Sequence, residues 1–294
     1  MHEGELELTD GTAERLIARR FPALAGMPLR RVSTAGTVNA IIRIGDDLAA
    51  RFPLLPDTES ALHVEAAAMR ELAAVCPVPT PRPYGIGAGT PDYPSAWAVQ
   101  TWLPGVTAGP QSHAASESVA LDVAETIRSL RAAEVGGRQF DGRGRGGDLR
   151  DHDDWVTACI DRSAHLLDAA RVRRLWERLR ELPRSGRDVM SHRDLTPPNL
   201  LVSDGRLVGV LDGGSFGPAD PALDLVAAWH LFDAPRRRLV RDRVGGDDVG
   251  WRRGAAWALQ QAMGLAWYYE RSNPEMSALG LSTMRRLLDA DELA

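Results

Sequence analysis

The sequence predicts an α+β fold in two lobes: a small antiparallel-sheet N-lobe over residues 1–101 and a larger helical C-lobe over 102–294. Three observations point there. Short β-branched and apolar runs near the start are separated by glycine-containing turns. Apolar residues farther along recur at three- and four-residue spacing, and Pro104-Gly105 marks a break between the two patterns.

In chain order, Thr9 or Asp10 is placed to cap a first helix whose apolar face carries Leu16, Ile17 and Phe21. Residues 29–35, 38–44 and 48–52 read as three antiparallel strands, separated by Gly36-Thr37 and by the hairpin turn Gly45-Asp46-Asp47. Pro53 and Pro56 end the third strand. Asp57 or Thr58 then caps a helix with Leu62, Ala66, Met69, Ala73 and Cys76 on its buried stripe. The proline-rich stretch 77–94 breaks any long helix, and 95–102 reads as a buried strand. Beyond Leu103 the pattern is helical, apart from two short strands within 199–212 split by the Ser203-Asp204-Gly205 turn. The segment 136–154 contains GRGRGG, the pattern of an RNA-binding tract, but its five aspartates offset its four arginines, so an exposed loop is expected.

Composition narrows the function classes. A chain of 294 residues that is 44% hydrophobic, with net charge −5, is neither disordered nor suited to coating nucleic acid or an anionic membrane. Cys76 and Cys159 lie far apart without CxxC spacing, which excludes a disulfide framework or a cysteine-rich zinc site and suits a reducing compartment. The acidic opening MHEGELELTD predicts no secretory leader, and the longest apolar stretch, 255–267, falls short of a membrane span. A cytoplasmic protein with no nucleic-acid, membrane or obligate protein partner is expected. Lysine is absent and all 35 basic residues are arginine, so any role commonly filled by lysine falls to arginine.

The most specific stretch is Ser191-His192-Arg193-Asp194-Leu195-Thr196-Pro197-Pro198-Asn199, which matches the phosphoryl-transfer loop H-R-D-L-x-x-x-N. Asp212 follows in Val208-Gly209-Val210-Leu211-Asp212-Gly213-Gly214, where an apolar strand delivers a carboxylate into a glycine turn. Phosphoryl transfer needs positioning and charge neutralisation more than covalent help. Asp194, on a loop, can accept a hydroxyl proton. Asn199 and Asp212 offer hard oxygen donors from the two ends of a hairpin, as a magnesium ion requires.

The run SHRDLTPPNLLVSDGRLVGVLDGGSFGPADPALDLVAAW resembles the core of the aminoglycoside phosphotransferases and their small-molecule kinase relatives. VSTAGTVNAIIRIGDDLAARFP resembles that family's nucleotide-lobe strands and VQTWLPG its hinge. The resemblance implies a protein-kinase-like fold that uses ATP or GTP with Mg²⁺. It makes Asp194 the catalytic base, Asn199 and Asp212 the metal ligands, Asp224 a brace for the catalytic loop, and His192 a packing residue beneath it. Gly36, Asn39, Gln100 and Trp102 fall in the nucleotide-binding segments. The chain also departs from the family. His192-Arg193-Asp194 stands where His-Gly-Asp is usual, and Gly213 replaces an aromatic residue. Arg51 takes the place of the phosphate-binding lysine, with Glu65 as its expected helix partner. The segment 33–39 holds one glycine and no G-x-G-x-x-G.

Only residues 213–219 separate Asp212 from Asp220-Pro221-Ala222-Leu223-Asp224-Leu225, and no A-P-E follows, so there is no peptide-docking platform. A small-molecule acceptor is expected. An aminoglycoside is the first expectation, held by Asp151, Asp153, Asp154 and Glu270. A macrolide, for which Trp267, Tyr268 and Tyr269 offer an apolar wall, or a small metabolite such as an amino alcohol or sugar is the alternative. A non-catalytic nucleotide binder is the rival of another class.

Overall fold

The computed structural model describes residues 5–32, 39–184 and 186–293. The chain divides into two compact units. The first comprises residues up to Ala74, Pro79–Pro104 and Asp212–Ser215; the second comprises Val75–Val78, Gly105–Leu211 and the chain from Phe216 onward. In this division Asp212–Ser215 groups with the first unit and Val75–Val78 with the second.

In the first unit, Thr9 caps α1 (Asp10–Arg20), its hydroxyl accepting from Thr12 N at 3.1 Å. The sheet contains β1 (Leu29–Val32), β2 (Asn39–Ile44), β3 (Leu48–Pro53), β4 (Pro83–Gly87) and β5 (Trp97–Thr101), antiparallel in the order β1-β2-β3-β5-β4. Gly45 takes the left-handed φ of 56° at the β2–β3 hairpin, a conformation a β-carbon would penalise. Alternation along the strands sends Ile42, Ile44, Ala50, Phe52, Trp97 and Val99 to the core that includes Ala13, Leu16 and Ile17 of α1. Phe52 stacks on Trp97 at 4.8 Å, and burying each such ring contributes about 2–3 kcal/mol. The same alternation turns Arg51, next to Phe52, to the opposite face.

Thr58 caps the next helix, its hydroxyl accepting from Ala61 N at 3.1 Å. That helix, α2 (Glu59–Val75), buries Leu62, Ala66, Met69 and Leu72. Leu72, not Ala73, continues the stripe, and Cys76 lies past the helix end. Three-residue steps after Ala66 keep the apolar face toward the core, as 3.6 residues per turn allow. β4 lies inside the proline-rich stretch. It is an edge strand opened by Pro83, where a missing N–H costs little.

The second unit begins with β6 (Val106–Thr107), α3 (Pro110–His113), α4 (Glu117–Ala132), α5 (Asp153–Arg162) and α6 (Ala169–Leu179). β7 (Val189–Ser191), β8 (Leu200–Ser203), β9 (Arg206–Val210) and β10 (Gly217–Ala219) follow. α7 (Val226–Leu231), α8 (Ala234–Val244), α9 (Asp248–Tyr268) and α10 (Pro274–Leu288) complete it. β6, β7 and β10 were not anticipated. They are two or three residues long, too short to show alternation. β7 pairs with β10, and β8 lies between β6 and β9. α9 is buried around most of its circumference, so it lacks the one-sided pattern of a surface helix. Within it Arg253, 2% exposed, pairs with the fully buried Asp220, which also accepts from Trp257 Nε1 at 3.1 Å. Among the described residues no helix is long and apolar enough to cross a membrane.

Candidate active site

The second unit carries the loop between β7 and β8. Asp224 braces it. Its Oδ1 accepts from Ser191 Oγ at 2.8 Å and Arg193 N at 3.2 Å, and its Oδ2 accepts from His192 N at 2.9 Å. Asp224 is 2% exposed, so these bonds offset the cost of taking its carboxyl group out of water. His192 is fully buried, and its Nε2–H donates to Leu211 O at 2.8 Å. Leu211 N in turn donates to Asn199 O at 2.8 Å, which ties the end of β9 to the start of β8. Asn199 Nδ2 donates to both Asp194 O at 2.9 Å and Asp194 Oδ2 at 3.1 Å. Asp194 therefore stands on a loop fixed from behind, with about a third of its side chain exposed (34%).

Arg193 adopts φ 71°, in the left-handed region where glycine sits without strain. Holding a non-glycine residue there costs on the order of 1–3 kcal/mol. The compensation is visible: the guanidinium lies 5.0 Å above the Phe140 ring, bonds Asp141 Oδ1 at 2.9 Å and also reaches Arg143 O. This clamp corrects the reading of 136–154 as simply an exposed loop. Residues 141–144 are exposed, but Gly146, Gly147 and Leu149 are buried. Gly146, at φ 124°, passes so close to β10 that a β-carbon would meet that of Ala219 at 2.7 Å. Its carbonyl accepts from Asp220 N at 2.9 Å. The charge count missed this because charges that cancel in a sum over the segment each pair with a residue elsewhere, Asp141 with Arg193, Arg145 with Asp194 and Asp153 with Arg180.

The loop delivers a residue that the sequence reading did not single out. Arg145 Nη2 donates to Asp194 Oδ1 at 2.7 Å, while its Nε is buried without a hydrogen-bond partner. His152, in the 3₁₀ turn before α5, is held below the usual histidine range by burial and then by the charge of Arg145. No motif announces Arg145. The only signal is an arginine among glycines, which lets the backbone approach its neighbours.

In the first unit, Arg51 on β3 bonds Asp212 Oδ1 at 3.1 Å and lies 4.0 Å from Glu65 Oε2 on α2. Burial pushes the Glu65 carboxyl up from its usual range, Arg51 pulls it down, and the charges of Asp212 and Asp57 raise it again. Asp212 takes φ 58°, and Gly213 and Gly214 press against α2. A β-carbon on Gly213 would lie 2.4 Å from Leu72 Cδ2, and one on Gly214 would lie 3.2 Å from Glu65. Gly213 thus packs tightly; an aromatic side chain has no space there. A cavity of about 420 Å³ is lined by Asn39, Arg51, Glu65, Ala98 and Asp212.

The remaining expected residues scatter. Gly36 lies outside the described residues. Gln100 is half-buried on β5, paired with Ala49. Trp102 N donates to Asp47 O at 2.7 Å, and the Trp102 ring supports the Arg43 guanidinium at 5.1 Å. Asp153 is bound by Trp176 Nε1 at 2.9 Å and by Arg180. Glu270 pairs with His165 at 3.0 Å, whereas Asp151 and Asp154 are exposed. Trp267 and Tyr268 border a cavity of about 480 Å³ with Arg162 and His165, and Arg162 sits 4.5 Å above the Trp267 ring.

The donors suit Mg²⁺ in kind. Asn199, whose side-chain nitrogen is committed to Asp194, keeps an amide oxygen, and Asp212 carries a carboxylate; each is the kind of hard oxygen that ion prefers. Among the described residues no three His, Cys, Asp or Glu side chains cluster as a metal site.

Comparison with known proteins places these features in context. The sequence model of the phosphotransferase enzyme family matches residues 28–257. An aminoglycoside 3′-phosphotransferase of Escherichia coli is 37% identical over 60 residues, which is 20% of this chain and 22% of that protein. The chain thus spans about a fifth of the length of the curated relatives it matches. In fold, the GDP complex of aminoglycoside 2′-phosphotransferase-IIIa superimposes with TM-score 0.69 at 19% identity, covering 96% of this chain and 99% of that one. A macrolide 2′-phosphotransferase of Brachybacterium faecium gives TM-score 0.60 at 19% identity, covering 93% and 96%.

Proposed function

Because the chain belongs to the phosphotransferase enzyme family, we propose that it transfers the γ-phosphoryl group of ATP or GTP to a hydroxyl of a small molecule. The observation that carries this reading is the presentation of Asp194, partly exposed, held at its carboxylate by Asn199 and braced from behind by Asp224. In this reading Asp194 takes the proton of the acceptor hydroxyl, the acceptor oxygen bonds the γ-phosphorus, the bond to the β–γ bridging oxygen breaks, and the nucleoside diphosphate leaves. Arg51 grips nucleotide phosphate oxygens, oriented by Glu65. Asn199 and Asp212 would hold Mg²⁺, which when bound offsets phosphate charge. Asn39, Gln100 and Trp102 belong to the nucleotide side of the reading.

The acceptors named for the relatives, aminoglycosides and macrolides, are the finer candidates here. Of the four carboxylates expected to hold a polycation, Asp153 and Glu270 are engaged by Arg180 and His165, which weakens support for that class. The rim of Trp267 and Tyr268 is shared with Arg162, His165, Glu270 and Arg271, so it is mixed in character and does not single out an apolar acceptor.

The test is nucleotide-dependent thermal stabilisation with and without Mg²⁺, followed by release of nucleoside diphosphate across a panel of hydroxylated acceptors. Asp194→Asn is expected to keep nucleotide stabilisation and lose about 10²–10⁴ in kcat. A variant that retained more than about a tenth of wild-type kcat would remove Asp194 from the role of base.

A further inference from the structure

We propose that Arg145 selects an acceptor carrying an oxyanion, a carboxylate or a phosphate ester, close to the hydroxyl that is phosphorylated. The proposal rests on the phosphotransferase reading and deepens it by naming the acceptor's charge.

Three observations support it. First, the Arg145 guanidinium lies on the oxygen a hydroxyl proton must reach: Nη2 to Asp194 Oδ1 is 2.7 Å, while Asn199 holds Oδ2 at 3.1 Å. A contact serving only to stiffen the loop is redundant there, because Asp224 and His192 already fix the backbone from the other side. Second, Arg145 is not satisfied by this pairing. Its Nε is buried without a partner, and one carboxylate oxygen uses a single corner of a fork built for two-point contact. Third, the placement is built into the fold. On one side Arg193 anchors Asp141 and Arg143 O; on the other, Gly146 is wedged against Ala219 and bonded by Asp220 N.

The chemistry then follows from charge. A polycation approaching Asp194 would have to displace or face a like charge, which is how sites reject wrong ligands. An acceptor oxyanion instead gives the guanidinium a better partner, drawing it off Asp194 Oδ1 as the adjacent hydroxyl arrives. The hydroxyl proton passes to Asp194, the acceptor oxygen takes the phosphoryl group, and the nucleoside diphosphate departs with the electron pair of the broken bond. Arg145 stays charged throughout.

The experiment uses the full chain with ATP or GTP and Mg²⁺. The acceptors are grouped by charge on shared scaffolds: glucuronate and glucose 6-phosphate, glucose, glucosamine, a set of hydroxy acids with their amides, and kanamycin. Wild type is expected to favour anionic members in kcat/KM by at least about tenfold, the size of one charge-assisted contact. Carboxylate and phosphate arms tell the two anion sources apart. Arg145→Gln should lower kcat/KM for the anionic acceptor about tenfold more than for its neutral amide, so that the preference between the two is lost. Arg145→Lys should keep part of the preference, and circular dichroism checks that both variants fold.

Preference for kanamycin or glucosamine, or a loss in Arg145→Gln that is equal for all acceptors, overturns the proposal. A protein stabilised by nucleotide that turns over no anionic acceptor overturns it while sparing the phosphotransferase reading. Neither nucleotide stabilisation nor turnover with any acceptor defeats both.

Discussion

Leu72 of α2 occupies the space in which a side chain at residue 213 would begin, since a β-carbon there would lie 2.4 Å from Leu72 Cδ2. Leu72 is itself fully buried, so it has little room to give way. The glycine after Asp212 and the leucine on α2 are therefore two halves of one packing decision. Gly213→Phe is expected to destabilise by about 1–3 kcal/mol through overpacking. Leu72→Ala alone should cost about 2–5 kcal/mol by leaving a cavity. Combined, the two should cost clearly less than their sum, because the ring enters the vacated space. Thermal midpoints of the four proteins provide the measurement; strict additivity would show that the two positions do not share space.

Arg193 separates strain from clamping. Arg193→Ala keeps the left-handed φ of 71° and loses the contacts to Phe140 and Asp141, so it should destabilise by about 1–2 kcal/mol. Arg193→Gly loses the same contacts but relieves the backbone, and should be more stable than the alanine variant by about 1 kcal/mol. Chemical denaturation of both variants decides. An alanine variant as stable as the glycine one would mean that the backbone here is unstrained.

Arg51→Ala should raise KM for nucleotide about tenfold or more, with a smaller effect on kcat, because the proposed reading gives Arg51 one charge-assisted contact to phosphate. Arg51→Lys should retain most of the affinity, as it keeps the charge while giving up the two-point geometry. Equal KM values in all three proteins would place the phosphates elsewhere.

His230 predicts an acid-sensitive fold. It is fully buried between Thr283 Oγ1 at 2.9 Å and Gln261 Oε1 at 3.0 Å, and burial pulls its pKa down from 6.5 to about 4. Nearby Arg286 and Arg145 disfavour its charged form further, while Gln261 favours it. A depressed folded value means that the neutral form is the one that folds. The stabilisation is fully present above pH 6.5 and is lost as pH falls toward 4, by at most about 3 kcal/mol. Urea midpoints between pH 7 and pH 4 should fall less steeply in His230→Gln than in wild type. Parallel slopes would show that His230 carries no share of the acid sensitivity.

What the sequence revealed, and what it hid, divides along physical lines. The segment from His192 to Asp224 was legible because its chemistry fixes residue types at short spacing, and local hydrogen bonds do the rest. Arg51 is singled out by the resemblance, as the residue standing where the family has a lysine; alternation adds only that it lies on the face opposite Phe52. Arg145 could not be found that way. It meets Asp194 across 49 positions through a loop whose course depends on Gly146 clearing Ala219, a fact of tertiary packing. Leu72 was displaced from the expected stripe by one position for a similar reason: its neighbour Gly213 comes from 141 residues downstream. β7 and β10 were hidden by brevity, and β4 by prolines that an edge strand tolerates.

Arginine at position 51, in a chain without a single lysine, also determines which reagents can interrogate this protein. Acyl-phosphate nucleotide probes mark kinases by acylating a side-chain amine beside the phosphates; under the function proposed above they would find a guanidinium here, which resists acylation near neutral pH. A proteome survey built on that chemistry would leave the site unmarked even with nucleotide fully bound. Dicarbonyl reagents, which condense with guanidinium groups, are the appropriate covalent reporters, with protection by nucleotide as the readout at Arg51. The same composition leaves no lysine side chain for acetylation or ubiquitin attachment.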